Sequence, residues 1–449
     1  MHGFRTTAVL SLVGLLTFSC ASLRAEDASK PLSASQALEL AKKYLAEKDA
    51  AKKEALLAQA GETPADDPKP FINLLLPPAF PPAKTGVQHG LKLEVPAAVS
   101  DKPVEYSISV PPRYAPNQLW PLIIGLHGGG EGMGSGKDHM TTQMEMTTLP
   151  AIFVCPTSVD LGVSFYWRNP KNEQMLALLV QELSRQFPID PDKIYLTGYS
   201  MGGIGAYYLG ARLVDRYAAI GPGGGSWKGI FWAGMLNTPV YIWHGKRDMR
   251  GANYTDFPNA ENAAACLKEL GAGYKYEFKA MECDHPNVPK GEARTMGEWL
   301  LKQKRNPYPK RIVYASPRVK DFMVDLLPSP PDRWLSITET GAGELEMEGL
   351  EQGGMPRIKH KLKMGILDAT WTAPNTLDVK AQNVSKFRVF LSSNLLDLKK
   401  PLKVTVNGKA AFEGPVKSSL KFLLKYLDEH RDPSMVYVGE ALVTVGEAK

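Results

Sequence analysis

"KIYLTGYSMGGIG", Lys193 to Gly205, sets a serine between two glycines directly after a short run of β-branched and aromatic residues. Within it Gly198-Tyr199-Ser200-Met201-Gly202 fits G-x-S-x-G, a pattern in which a sharp strand-to-helix turn lifts the serine above the edge of a sheet. Small residues flank the serine because a strained turn leaves no room for a Cβ beside it. Five loosely specified positions carry little by themselves. The weight comes from context: "KIYLTG" reads as a strand, and a helix containing Gly202, Gly203 and Gly205 follows.

Outward from this stretch, from about Leu91, strands alternate with helices. "LKLEV" and "VEYSISV" read as a hairpin. "PLIIGLHGGG", "AIFVCPTS", "KIYLTGYS", "YAAIGPGGG", "PVYIWHGKRD" and "KYEFKAMECDH" follow as short apolar or alternating runs. Helical stretches lie between most of them, at Asn172 to Arg185, Gly202 to Val214 and Ala260 to Leu270. Buried strands separated by helices predict an α/β fold: a mostly parallel sheet with helices on both faces. Ligands in such sheets bind at the carboxyl ends of the strands, so the loops there are where chemistry is expected.

Past "KQKRNPYPKR" this alternation stops. "RIVYASP", "FMVDLL", "WLSITET", "ATWTA", "TLDVKAQ", "KFRVFLS", "LKVTVNGKAAFEG" and "ALVTV" predict a C-terminal, mainly antiparallel β domain of sandwich or barrel type. Asn407-Gly408 is its clearest hairpin signal, and Ser418 to His430 its one amphipathic helix. Ahead of the sheet, Ser33 to Ala60 is rich in Ala, Leu, Glu and Lys and reads as one helix or a helical pair. Proline-dense connectors follow it, which makes it an N-terminal helical appendage.

The chain has 449 residues, enough for two or three units, and 44% hydrophobic with 22% charged residues excludes disorder as its global state. Its first residues, "MHGFRTTAVLSLVGLLTFSCASLRAED", combine an early arginine, an apolar run from Ala8 to Phe18 and a small-residue exit at Ala25. This reads as a cleaved secretory signal, too short for a comfortable membrane span, and predicts a secreted or periplasmic protein. Lipidation at Cys20 fits less well, because Thr17 and Phe18 precede it. The expected segments are 1–25 (signal), 26–85 (helical and proline-rich), 86–305 (α/β unit) and 306–449 (β unit). Cleavage removes Arg5 and Arg24 and lowers the net charge from +6 to +4. With no clustered basic stripe, that excess does not point to nucleic acid. Cys155, Cys266 and Cys283 remain, so at most one disulfide is expected. No phosphate-binding loop, metal-ligand cluster or dinucleotide fingerprint stands out, so no cofactor is expected. The oligomeric state is not legible.

A serine hydroxyl is a poor nucleophile near neutral pH and needs a base within hydrogen-bond reach, with an acid to orient that base. In G-x-S-x-G proteins the chain order is serine, acid, histidine. Of His285, His360 and His430, only His285 falls on a loop after the last parallel strand, in "MECDHPNVP". Asp248, which ends "YIWHGKRD" a few residues beyond the edge of its strand, is the first choice of acid, with a salt bridge to Lys246 or Arg247 as its plain alternative; Asp256 is the runner-up, and Asp284 borders the histidine. Acyl transfer also needs donors for the developing oxyanion. "LHGGGEG" follows the first parallel strand and offers Gly128 or Gly129, and Met201 offers the other N–H. His127 and Glu131 are read as shaping that loop.

On these residues, Gly125 to about Arg305 resembles the α/β-hydrolase superfamily. Within it, the likeness is to secreted esterases of the polyhydroxybutyrate depolymerase, feruloyl esterase and prolyl oligopeptidase-like groups. The motifs are "LHGGG", "IYLTGYSMGG", "HGKRD" and "CDHPNVP". The resemblance implies a serine hydrolase with Ser200 as nucleophile, Asp248 as acid, His285 as base and Met201 as oxyanion donor. No propeller precedes the unit, which argues against a true prolyl oligopeptidase.

Tyr166, Trp167, Trp227, Phe231 and Trp232 lie on loops expected to border the site, with Trp167 and Trp227 as candidate substrate contacts. Flat rings there suit sugars or phenolic acyl groups, and equally suit a lid or a domain contact. Arg168 and Arg250 are candidate carboxylate binders more simply read as surface residues. The expected substrate is an ester, with polysaccharide-linked acyl groups as one class. A serine peptidase and a non-catalytic glycan-binding protein are the alternatives, and transfer to an alcohol instead of water stays open.

Overall fold

The computed structural model describes residues 30–77, 79–163, 165–249, 254–320, 328–350 and 357–446. The expected signal peptide, "FMVDLL" and Arg250 lie outside them.

The N-terminal segment is a helical pair. Ser33 and Gln36 form a reciprocal cap on α1 (Ala34–Ala46), and Asp49 caps α2 (Ala50–Ala58); a short α3 (Lys69–Ile72) follows. The sheet comprises β1 (Gly86–Leu93), β2 (Val104–Val110), β3 (Trp120–Leu126), β4 (Ile152–Pro156), β5 (Ile189–Tyr199), β6 (Ala219–Gly223), β7 (Val240–Gly245) and β8 (Tyr276–Met281). Its order is β1-β2-β4-β3-β5-β6-β7-β8. β2 runs antiparallel to both neighbours, and β3 to β8 are mutually parallel.

Period-two alternation divides the core. Leu122, Ile124, Leu196 and Ile242 face one layer, whereas Ile123, Tyr195, Tyr241 and Trp243 face the other. The second layer takes Met140 of α4 (Gly136–Thr142) and Met296 and Leu300 of α8 (Glu292–Leu301). The first takes α5 (Pro170–Gln186), α6 (Met201–Arg212) and α7 (Phe257–Glu269). Both faces are therefore covered, which is what the near-continuous apolar strands require.

The C-terminal unit is a sandwich. Its strands are β9 (Arg311–Ser316), β10 (Leu335–Thr340), β11 (Leu345–Leu350), β12 (Arg357–Leu362), β13 (Gly365–Ala373), β14 (Thr376–Gln382), β15 (Val384–Leu391), β16 (Leu402–Val406), β17 (Lys409–Gly414) and β18 (Gly439–Thr444). Sheet β17-β16-β14-β13-β9 and sheet β10-β15-β18 share one apolar core, to which the first gives Tyr314, Leu367 and Val404 and the second Phe387, Val389 and Val443. Pairing is antiparallel except between β14 and β16. Asn407 and Gly408 both take positive φ, 49° and 78°, as a two-residue hairpin requires. The β11–β12 hairpin was not expected from the sequence; its Met347 and Leu362 form a small cluster with Met364 and Ala315.

Helix α9 (Leu420–His430) joins the two ends of the chain. Leu420, Leu423, Leu424 and Leu427 recur at i, i+3, i+4 and i+7 and pack on Leu40, Ala41 and Tyr44 of α1 and Leu57 of α2. Tyr426 turns into the sandwich core instead. The N-terminal appendage thus covers the C-terminal unit.

Arg305 ties that unit to the sheet. Its buried guanidinium meets Asp192 at 3.0 Å and Asp432 at 2.7 Å, and donates to the Ser434 hydroxyl and the Asp215 carbonyl. Arg305→Met keeps much of the volume but leaves Asp432 buried without its cation. The expected loss is roughly 3–5 kcal/mol in urea unfolding; a loss under about 1 kcal/mol would place it with exposed pairs.

Candidate active site

Ser200 stands between β5 and α6 at φ 59° and ψ −122°, a conformation L-residues rarely adopt. Three glycines explain how it is held. A Cβ on Gly198 would come 2.3 Å from the Gly202 carbonyl oxygen, one on Gly202 1.9 Å from that of Leu126, and one on Gly203 2.0 Å from that of Gly223. The Ser200 N–H donates to the Gly223 carbonyl at 3.0 Å, locking the turn to β6. Gly223-Gly224-Gly225, which resembles no phosphate loop, packs here: a Cβ on Gly225 would lie 2.6 Å from the Ser200 carbonyl oxygen.

His285 follows β8 and Asp248 follows β7, and the structure brings both to Ser200. The Ser200 hydroxyl lies 2.8 Å from His285 Nε2, and His285 Nδ1 lies 2.5 Å from Asp248 Oδ2. An ionised carboxylate only accepts, so Nδ1 carries the proton and the neutral ring receives the serine O–H at Nε2. The Asp248 side chain is fully buried, and that of His285 is 11% exposed. Burial pushes the Asp248 carboxyl up, but hydrogen bonds from His244 and His285 more than offset this and hold it below its ordinary value.

Asp248 does not pair with the two cations beside it in the chain. Lys246 pairs with Glu282, and Arg247 donates to the Glu282 carbonyl. Asp256 stands at the N-cap position of α7, and Asp284 accepts from Asn287. Two residues around the array were not expected. His244 Nε2 lies 3.3 Å from Asp248 Oδ2, and the Tyr199 hydroxyl donates to the His285 carbonyl at 2.7 Å. A histidine four residues before the candidate acid was the available signal for the first.

The loop after β3 reaches the serine. A Cβ on Gly128 would come 3.1 Å from Ser200 Cβ and 3.8 Å from its Oγ, so only glycine lets this backbone so close. Gly129 makes the turn itself, at φ 125°. Met201 opens α6, so its N–H belongs to the first turn, whose donors lack intrahelical acceptors. His127 shapes the loop as expected. Its Nε2 accepts the Ser158 N–H at 3.1 Å, which puts its proton on Nδ1, 2.9 Å from the Gly128 carbonyl.

The expectation that Trp167 and Trp227 contact substrate is not met: they are 1% and 2% exposed. Trp167 donates to the His127 carbonyl, and the Tyr166 hydroxyl to that of Gly128. Trp227 stacks on Tyr254, 5.2 Å between centroids, and donates to the Lys320 carbonyl. These rings brace the loops, and in the case of Trp227 the passage into the C-terminal unit. Trp232 is buried too, and Arg168 is half-buried at the end of a short helical turn. His430 is not a solvated histidine: it stacks on Tyr426 at 4.0 Å. Cys155, Cys266 and Cys283 are free thiols, and no acidic, cysteine or histidine cluster among the described residues could hold a metal. No described helix is long and apolar enough to cross a membrane.

Burial pushes the His127 imidazole down to about 4 from an ordinary 6.5. Between those values the unfolded chain binds a proton that the folded loop refuses, so this contribution is full above pH 6.5 and falls as the pH drops toward 4. Thermal melts from pH 7 to 4 are therefore expected to show a shallower acid loss in His127→Gln than in the wild type; parallel curves would remove His127 as a cause.

No family model matches the chain. A stretch of 141 residues, 30% of the chain, is 26% identical to a bifunctional acetylxylan esterase/xylanase of Neocallimastix patriciarum and covers 20% of that protein. Another comparison, over 123 residues and 26% of the chain, gives 25% identity to a probable feruloyl esterase C of Aspergillus niger, covering 44% of it. The chain thus spans less than half the length of either curated relative. Among solved structures, a thermostable esterase overlays 49% of this chain and 63% of its own at TM-score 0.38 and 21% identity. An acylaminoacyl peptidase of Pyrococcus horikoshii overlays 48% and 40% at TM-score 0.36 and 14% identity. Its sheet order gives the chain a mostly parallel α/β fold, and in sequence it is distantly similar to an acetylxylan esterase/xylanase and a probable feruloyl esterase.

Proposed function

We propose that the chain is an exported serine carboxylesterase that works through an acyl-enzyme on Ser200 and acts on acyl groups carried by polysaccharide. The observation that carries this reading is the line Ser200, His285, Asp248, with a buried carboxylate behind the imidazole and the serine at a helix N-terminus.

The chemistry follows from the geometry. As Ser200 Oγ attacks the ester carbonyl carbon, its proton passes to His285 Nε2, and the negative charge of Asp248 stabilises the imidazolium. The carbonyl oxygen gains charge beside the Met201 and Gly128 N–H groups, which are built in before reaction and need no reorganisation. The imidazolium then protonates the departing alcohol as the carbon–oxygen bond breaks. In the second half water attacks the acyl-enzyme, gives its proton to His285, and the acid leaves as Ser200 recovers its own. The base must be neutral to start, so kcat/KM falls as the pH drops and His285 takes a proton.

The polysaccharide part rests on what the two curated relatives are named for, since the buried tryptophans do not support it. Export rests on the N-terminal 25 residues, and N-terminal sequencing of the mature protein is expected to begin after Ala25. Retention of that segment would overturn this part.

The panel that tests the activity is p-nitrophenyl acetate and butyrate, acetylated xylan, methyl ferulate and chromogenic peptides. Turnover is expected on esters, with Ser200→Ala and Asp248→Asn each lowering kcat by on the order of 10⁴-fold or more. Cleavage of the peptides alone would move the reading to a peptidase. No turnover, together with no fluorophosphonate labelling of Ser200, would refute it.

A further inference from the structure

The geometry points to His244 as a positioning residue that holds the Asp248 carboxylate for His285; the inference rests on the serine-esterase reading above. His244 is the penultimate residue of β7, its side chain fully buried, four residues before Asp248. Its Nε2 lies 2.7 Å from the Thr255 carbonyl oxygen and 3.3 Å from Asp248 Oδ2. A carbonyl only accepts, so Nε2 carries the proton and donates it to Thr255, with Asp248 Oδ2 within ion-pair distance of the same nitrogen. Nδ1 has no partner among the described residues. The oxygen that His244 approaches, Oδ2, is the one that accepts His285 Nδ1–H.

Two imidazole nitrogens thus flank one carboxylate oxygen, His285 Nδ1 hydrogen-bonded to it and the protonated His244 Nε2 3.3 Å away. His244 itself has little freedom. It meets the Phe257 ring at 6.0 Å, edge to face, and the Phe257 N–H donates to the Asp248 carbonyl at 2.9 Å. The start of α7 and the end of β7 therefore clamp ring and acid together. The other charges on this turn are spent elsewhere: Lys246 and Arg247 go to Glu282, and Asp284 beside the base accepts from Asn287.

Removing the His244 donor has two consequences. The carboxylate loses its fixed direction, so His285 is held less well for Ser200. With one donor fewer, the remaining charge on Asp248 pulls harder on the His285 proton, and the imidazolium is favoured.

His244→Phe keeps a ring of similar size without the N–H, and His244→Gln returns an amide N–H near the place of Nε2. His244→Phe is expected to lower kcat roughly 10- to 100-fold at little change in KM. The acid limb of kcat/KM is expected to move up by about half a pH unit or more, and His244→Gln to recover most of both. The same rise is expected in the proton NMR titration of His285, which needs no turnover. If the wild type hydrolyses nothing in the panel, the esterase reading falls while the NMR titration still decides about His244. A folded His244→Phe with an unmoved limb and an unmoved His285 titration would overturn the inference, as would His244→Gln behaving like His244→Phe. Should His244→Phe fail to fold, His244→Asn, whose amide is too short to reach Oδ2, is expected to show the same shift, and its absence would count equally against the inference.

Discussion

The close approach of α6 to the backbones of β3 and β6 is the contact on which the site depends. At Gly202 and Gly203 the helix meets the Leu126 and Gly223 carbonyl oxygens with no room for a side chain. That contact forces the chain to turn sharply between β5 and α6, and Ser200 absorbs the turn with an unfavourable backbone conformation that costs about 1–3 kcal/mol. The hydrogen bond from Ser200 to Gly223 and the burial of α6 on the core hold it there. In return the serine side chain projects from the sheet edge where loops from three other strands converge.

Those loops are held by buried polar groups that pair with one another, as groups removed from water must. His127 is fixed by the Ser158 N–H, the Gly128 loop by the Tyr166 hydroxyl and the Trp167 indole, and His285 by Tyr199. Further out, Arg305, Trp227 and Val319 bind the C-terminal sandwich to the α/β unit through ionic, hydrogen-bonded and apolar contacts in turn. The N-terminal helices close the apolar face of α9. The sandwich is thus continuous with the α/β unit, and its first segment runs beside the loop that follows β6: Lys320 donates to Gly229, and Phe231 to Arg318.

Much of this was legible in the residue order. Parallel strands buried on both faces are apolar along their whole length, so β3 to β7 stood out. G-x-S-x-G, a histidine after the last strand and an aspartate after the one before it are positions along the chain, and the topology of a parallel sheet carries such positions to one edge. His244 escaped because the end of a strand gives no periodic sign of which way its last side chains point. Trp167 and Trp227 were misread because an aromatic residue on a loop has the same letter whether its ring faces a cleft or the core. The β11–β12 hairpin, rich in Glu and Lys, carries little of the apolar alternation that betrays a strand.

The sequence by itself determined the α/β class, the turn at Ser200 and the order of Ser200, Asp248 and His285 along the chain, because glycine spacing, apolar periodicity and chain order are local properties. The tertiary structure alone decided which of Gly128 and Gly129 lies against the serine, that Asp248 and not Asp256 or Asp284 faces His285, that His244 backs it, and that the N-terminal helices lie on α9. All but the His244–Asp248 contact, which spans four residues at the end of one strand, are meetings of groups far apart in the chain or at the ends of different strands. They are settled by packing distances and by the need of buried polar atoms for partners.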